Sequence, residues 1–125
     1  MIKIILPGTI RIKKNSKRIY ARGKMKTVIP SKAYVEWEKI AREIAKIQLL
    51  ECESSKIYPV SHKIHVKVLA YYKGREFDLS GALESVGDAM EGILWKNDMQ
   101  IESWDGSRKF HDKENHRTEI YVYEF

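Results

Sequence analysis

The chain has 125 residues and a formal net charge of +6 at pH 7; 43% of its residues are hydrophobic, 32% are charged and one is a cysteine. This length fits a single domain spanning residues 1–125, and the lone Cys52 excludes an intramolecular disulfide framework and a cysteine-rich zinc site. No apolar run approaches the roughly 20 residues that cross a bilayer, and the first residues are too briefly apolar for a signal peptide, so we expect a soluble cytoplasmic protein rather than a membrane or secreted one.

The first half of the chain is predicted to contain a short strand, a basic ribbon and a helix. The strand at residues 3–6 ends at Pro7-Gly8, and residues 18–29 alternate basic with apolar side chains around a turn at residues 22–24. Ser31 is a suitable N-cap for a helix that runs to about Glu51. Helical spacing assigns to its core face Ala33, Trp37, Ile40, Ala41, Ile44 and Ile47.

The second half is predicted to form a strand, a helix and two further strands. Strict alternation in residues 62–72 predicts a strand with one apolar face, and Leu79, Leu83, Val86 and Met90 recur at helical spacing. Asp78 or Ser80 would cap this second helix and Gly92 would end it, with strands near residues 97–101 and 118–125. The order β-β-α-β-α-β-β predicts an α+β domain whose helices pack on a largely antiparallel sheet, with mixed pairing left open.

Charge is strongly segregated along the chain. Residues 1–35, which we call the basic arm, hold ten Lys or Arg and no acid, whereas residues 76–105 hold eight Asp or Glu and a single Lys96. Basic residues in quantity suit a phosphate backbone, because each neutralised phosphate releases condensed counterions. An acidic patch repels nucleic acid unless divalent metal occupies it. Each segment alone also fits a solvated surface, but the combination indicates metal-dependent phosphodiester hydrolysis.

The acids of the second half could form a metal site. Glu84, Asp88 and Glu91 are spaced to lie on one face of the second helix, while Asp78 precedes that helix and Asp98 follows it. If the chain folds back past the end of the helix, Asp98 can join Asp78 and Glu84 near the helix N-terminus. Carboxylates from adjacent elements are the usual oxygen ligands of Mg²⁺, although an acidic helix face is more often simply solvated.

Read together, the basic arm and the acidic segment resemble the RusA family of Holliday junction endonucleases, found in bacteria and their prophages. The resemblance covers nearly the whole chain. It rests on Lys13-Lys14-Asn15-Ser16 in the arm, Ile29-Pro30-Ser31-Lys32-Ala33-Tyr34 at the start of the first helix, and the ordered block Asp78-Leu79-Ser80, Asp88-Ala89-Met90 and Asn97-Asp98-Met99-Gln100-Ile101.

This resemblance implies a homodimer that requires Mg²⁺, for which Mn²⁺ could substitute. The dimer would make paired cuts in four-way DNA junctions during recombination and repair. Asp78 and Asp98 match two metal-binding Asp residues of the family, and Glu84 or Asp88 would complete the site. Bound metal would lower the pKa of a water molecule and neutralise charge on the scissile phosphate.

The chain also departs from the family pattern. Ser80 stands where a second ligand Asp is usual, Asn97 replaces the first Asp of a pair, and Glu84 occupies the position of a catalytic Lys. We infer that Glu84 supplies the missing carboxylate. Lys96 or Lys14 would then replace the missing Lys in catalysis.

The basic arm would hold the junction backbone without regard to sequence, through Lys13, Lys14, Asn15, Lys17, Arg18, Arg22 and Lys24. The reaction would take place in the cytoplasm of a bacterium or a phage-infected cell. Two alternatives stay open. One is a junction- or single-strand-DNA-binding module that has lost catalysis, and the other is a Mg²⁺-dependent nuclease acting on flaps or forks.

Overall fold

The computed structural model describes residues 1–13, 17–22, 25–53 and 55–124, and for residues 17–22 and 25–30 it describes the backbone path alone. The predicted α+β order is confirmed. The basic ribbon forms two strands, and a strand that the sequence pattern did not predict lies at residues 108–111. The elements in chain order are β1 (Ile2–Pro7), β2 (Lys17–Arg22), β3 (Met25–Pro30), α1 (Lys32–Leu50), β4 (Ile64–Tyr72), α2 (Leu79–Ala89), β5 (Ile101–Ser103), β6 (Arg108–His111) and β7 (Arg117–Glu124).

The main sheet has five strands in a mixed arrangement. Its order is β1-β7-β4-β5, and β6 pairs with β4 as well. β7 runs antiparallel to its two neighbours, β1 and β4, whereas β5 and β6 both run parallel to β4. β2 and β3 form a separate antiparallel ribbon. Because the parallel strands β5 and β6 follow α2, they bring the residues after this helix back to the strand that precedes it.

The core lies on one face of this sheet. Along β4 every second side chain is buried, as the alternation predicted, and Ile120 and Val122 of β7 join the same layer. Ala41 and Ala45 of α1 and Ala82 and Val86 of α2 belong to the same buried cluster. Both helices therefore cover this face of the sheet.

α1 begins where the sequence indicated, but the face that it buries is rotated about the helix axis relative to the predicted face. The backbone N–H of Tyr34 donates to the Ser31 hydroxyl at 3.2 Å, so Ser31 is the N-cap. The prediction that Ala33, Ile40 and Ile47 face the core is wrong: all three are exposed, and the helix buries Tyr34, Ala41 and Ala45 instead.

Polar contacts explain this rotation of α1. Gln48 bonds the backbone of Ile5 in β1, its carbonyl Oε1 accepting from the amide at 2.8 Å. The Arg42 guanidinium donates to the carbonyls of Ala89 and Glu91, each at 2.8 Å. These two contacts direct the small residues Ala41 and Ala45 inward, where a helix can approach its neighbours closely.

α2 ends slightly earlier than predicted, and the strand expected from residue 97 starts later. The C-cap is Met90, and Gly92 follows with a φ of 85°, which glycine adopts without strain. Residues Asp98–Gln100 form a 3₁₀ turn ahead of β5, closed by Asn97 and Gln100, whose side chains bond the turn's backbone amides. Within the described residues no helix is long and apolar enough to cross a membrane.

Candidate active site

The chain folds back along α2 through a buried tryptophan. Trp95 has no exposed surface, and its indole Nε1 donates to the carbonyl of Gly87 at 3.1 Å. The amide of Gly92 donates to the carbonyl of Trp95 at 2.7 Å, which closes the turn between them. Because Trp95 is tied to the helix in this way, the residues that follow it run beside α2.

Asp98 lies against the second half of α2. A Cβ placed on Gly87 would be 3.8 Å from Asp98 Cβ and 3.9 Å from Asp98 Oδ2, so the carboxylate rests beside the glycine. The two residues border a cleft of about 360 Å³ whose other lining residues are Ser80, Leu83, Glu84 and Trp104. Asp98 therefore shares a cleft with Glu84, as the sequence predicted, but it contacts Gly87 rather than the helix N-terminus.

Asp78 lines a second and larger groove of about 820 Å³. As the N-cap of α2 it has extended backbone, and within the described residues its side chain makes no capping hydrogen bond. The groove is rich in cations contributed by three separate segments of the chain: Arg11, Lys73, Arg75 and Lys109. Such a surface suits a polyanion.

Lys109 holds the segment that leads into Asp78. Its ammonium donates to the carbonyl of Phe77 at 2.7 Å and to the carboxylate of Glu76 at 2.8 Å. The hydrogen bond to Glu76 raises the pKa of Lys109, and the charge of Asp78 contributes in the same direction. The same bond lowers the pKa of Glu76. Lys109 is therefore a fixed cation close to Asp78.

Sequence reasoning counted Arg11 as part of the basic arm but did not identify the other three cations of this groove. Lys73 and Arg75 precede Asp78 so closely that their position in the chain could have indicated them. Lys109 could not be found that way, because the parallel pairing of β6 with β4 carries it there from 31 residues beyond Asp78.

Asp88 lies beside Lys13 of the basic arm and does not line the cleft. The Lys13 ammonium lies 3.1 Å from Asp88 Oδ2, and the Lys13 amide donates to the hydroxyl of buried Ser85 at 3.0 Å. Burial raises the pKa of nearby Tyr34, as do its hydrogen bond to Glu38 and, to a smaller extent, the charges of Asp88 and Glu84. The basic arm and the acidic helix are therefore in direct contact.

The remaining predicted site residues are less central or undescribed. Lys96 is exposed, and its backbone amide donates to the carbonyl of Val60. Glu91 accepts from the amide of Asp98 at 3.2 Å and so helps to hold the turn. Lys14, Asn15 and Lys24 lie outside the described residues, and Lys17, Arg18 and Arg22 lie on β2, where only the backbone is described.

The positions of the acidic side chains decide how a metal ion could be coordinated. Among the described residues no group of three or more His, Cys, Asp or Glu is placed to hold a metal. Mg²⁺ does not need such a cage, because it binds through one or two carboxylates, water and substrate phosphates. Glu84 and Asp98 on one cleft, with the Ser80 hydroxyl beside them, fit that mode of binding.

One comparison with known proteins bears on the site. A family model described as Endodeoxyribonuclease RusA matches residues 7–123. The matched region includes both the cleft and the basic groove. No curated protein matches the chain.

Proposed function

The chain belongs to the RusA endodeoxyribonuclease family, and from that premise we propose that it resolves four-way DNA junctions by Mg²⁺-dependent hydrolysis of phosphodiester bonds. The observation that carries this proposal is the return of Asp98 to α2, which puts Asp98 and Glu84 on one cleft. The basic groove that contains Asp78 supports it, because a nuclease needs cations for the backbone beside carboxylates for the metal.

Glu84 and Asp98 would hold the metal ion, and Asp78 would contact it or the scissile phosphate from the groove. Bound Mg²⁺ would supply Lewis acidity, activating a water molecule and neutralising charge on the phosphate. The protein's own contribution is position. Gly87 leaves space for the Asp98 carboxylate, and the bond from Trp95 fixes the chain that carries it.

The groove cations would hold the DNA backbone close to these carboxylates. Arg11, Lys73 and Arg75 have no role in the core and line the same groove as Asp78. They would contact phosphates without reading bases, which suits an enzyme that recognises branch structure. The basic arm, anchored to α2 through Lys13, would extend this contact along a junction arm.

Lys109 is the residue we propose in place of the family's missing catalytic lysine. Lys96 is exposed and Lys14 lies outside the described residues, whereas Lys109 is fixed beside Asp78 by two hydrogen bonds. A cation held there would stabilise the charge that develops on the phosphate as the bond breaks.

Two matching cuts in a four-way junction require two related sites, so the active form would be a homodimer. The reaction would belong to recombination and repair in the cytoplasm of a bacterium or a phage-infected cell. The free thiol of Cys52 is compatible with a reducing compartment.

The proposal is tested by comparing substrates with one purified protein. A labelled mobile four-way junction, a 5′ flap, a fork and a duplex of equal length are incubated with Mg²⁺, Mn²⁺ or EDTA. We expect paired symmetric nicks in the junction with either metal and none in EDTA. Faster cleavage of the flap or fork would replace the junction assignment with a different nuclease activity. Tight junction binding without cleavage in any metal would establish a binding module instead.

A further inference from the structure

The face of the sheet opposite the helices carries a second concentration of aromatic and basic side chains. Because side chains alternate along a strand, the residues between the core positions of β4 and β7 point to this open face. Strand pairing places Lys67 beside Tyr121, His65 beside Tyr123, and Tyr71 beside both Arg117 and Phe110.

The rings on this open face are arranged in stacked pairs. His65 stacks on Tyr123 with ring centroids 5.2 Å apart, and Tyr71 stacks on Phe110 at 4.8 Å. All four are only partly buried. Because Arg117 lies over the ring of Tyr71, which also stacks on Phe110, the His65–Tyr123 pair is the one that offers its rings to a base. Flat rings presented from a sheet are suited to stacking on the bases of an unpaired strand.

The charge of the open face is positive. The cations Lys3 and Lys67 lie over the ring of Tyr121 at 5.2 and 4.5 Å from its centroid. Arg117 lies 3.9 Å from the centroid of Tyr71, and Arg108 lies 5.1 Å from that of Phe110. Two acids offset part of this charge: Glu119 is buried and accepts hydrogen bonds from Arg117 and Tyr121, and Asp112 lies 3.8 Å from the Arg117 guanidinium.

We propose that this open face binds an unpaired DNA strand, with a base stacked on the His65–Tyr123 pair and phosphates beside the lysines and arginines. The stretch of β4 from His65 to Tyr71 is about 20 Å long, enough for on the order of four nucleotides. The face lies apart from the cleft and the basic groove, which are on the helix side of the sheet. This function therefore does not depend on cleavage.

Charge also favours this occupant over a second copy of the chain. A twofold dimer through the open face would bring two copies of one net positive surface together. β6 connects the open face to the groove, since Phe110 and Arg108 point to the former and Lys109 to the latter. An unpaired strand on the sheet could therefore continue past this edge toward Asp78.

The test measures binding of the full chain to a fluorescein-labelled twelve-nucleotide thymidine strand by anisotropy, in EDTA so that no cleavage occurs. We expect Tyr123→Leu to weaken binding roughly fivefold or more, and Tyr123→Phe, which keeps the ring, to bind within about twofold of the parent. Lys67→Ala should lower the slope of log K against log salt by about 0.7. Lys46→Ala, an exposed lysine on α1, is the matched control and should leave both quantities unchanged.

Three results would overturn the proposal. The first is a folded Tyr123→Leu variant that binds the strand as tightly as the parent, and the second is a loss of binding only when the groove residues Lys73 and Arg75 are replaced. The third is a Tyr123→Leu variant that changes from dimer to monomer in gel filtration, because the face would then be covered by a second copy. Junction cleavage is measured separately, so a nuclease that fails this binding test would still be recognised.

Discussion

Gly87 of α2 faces Asp98, and a Cβ built on the glycine would stand 3.8 Å from Asp98 Cβ. That distance is an ordinary van der Waals contact, so a methyl group fits, whereas a larger side chain would extend toward Asp98 or into the cleft. The helix thus carries at this position the one residue type that leaves the most space for the carboxylate. Gly87 thus contributes to the position of Asp98 although it bears no functional group.

Substituting Gly87 should separate helix stability from site geometry. Gly87→Ala should stabilise the protein by about 0.8–1 kcal/mol, because alanine is the better helix former, and should keep cleavage near the parent rate. Gly87→Leu should displace Asp98 and lower the rate about a hundredfold, since a shift of about 1 Å in a reacting group has that effect. Thermal unfolding and single-turnover junction cleavage are the measurements. A folded leucine variant with parental activity would show that Asp98 does not need this space.

Substitutions of Glu84 and Asp88 should affect the Mg²⁺ requirement of cleavage differently, although both residues lie on α2. Glu84 lines the cleft with Asp98, whereas Asp88 is paired with Lys13. Glu84→Gln should reduce cleavage at least tenfold and raise the Mg²⁺ concentration needed for half-maximal rate. Asp88→Asn should leave the Mg²⁺ requirement unchanged and alter mainly the affinity for DNA. If Asp88→Asn raises the Mg²⁺ requirement and Glu84→Gln does not, then Asp88 rather than Glu84 is the helix carboxylate that binds the metal.

Lys109 should matter for cleavage through its charge. Lys109→Met removes the cation beside Asp78 and the bonds to Phe77 and Glu76, so we expect a loss of roughly tenfold or more in cleavage rate. Lys109→Arg should restore most of that activity. Lys63→Met is a suitable control, because Lys63 also pairs with a glutamate, Glu102, but lies outside the groove. Equal rates for Lys109→Met and the control would exclude Lys109 from the reaction.

Much of this fold could be predicted from the sequence, and the exceptions have physical causes. The alternation in β4 and the cap at Ser31 are local signals, and both are confirmed. The rotation of α1 was missed because it depends on bonds from Gln48 and Arg42 to distant backbone. Helical periodicity finds an apolar stripe, but a tertiary contact decides which edge of it is buried.

The candidate site divides in the same way. The sequence could predict that Asp98 and Glu84 line one cleft, because the turn after α2 is short and the chain has to return alongside the helix. The approach of Lys109 to Asp78 could not be predicted, because it follows from the parallel pairing of β6 with β4. Strand order is not encoded in any local motif.

Stability should fall in acid partly through Glu119. Burial opposes ionisation of this carboxyl, but hydrogen bonds from Tyr121 and Arg117 outweigh it and hold its pKa below the ordinary 4.5. The folded state therefore keeps the charge more readily than the unfolded state. This contribution is fully present above pH 4.5 and is lost as pH falls through the folded-state pKa.

Glu119→Gln is the variant that isolates this effect. At pH 7 it should reduce the free energy of unfolding by roughly 1–3 kcal/mol, and the difference from the parent should shrink as the pH falls below 4.5. Glu102→Gln removes an exposed glutamate and should change stability by less than about 1 kcal/mol. Urea unfolding at several pH values measures both. If the loss of unfolding free energy in Glu119→Gln stays constant as the pH falls below 4.5, the acid sensitivity does not come from the Glu119 carboxylate.

The most direct test of the account is to map the nicks that the protein makes in a four-way junction, with the Asp98→Asn variant beside it. Asp105→Asn, a change to an exposed aspartate outside the cleft, is the control. We expect the parent and the control to make paired nicks in opposing strands with Mg²⁺. Asp98→Asn should bind the junction but cleave at least about a hundredfold more slowly. Undiminished, Mg²⁺-dependent nicking by Asp98→Asn would contradict the placement of the active site on this cleft.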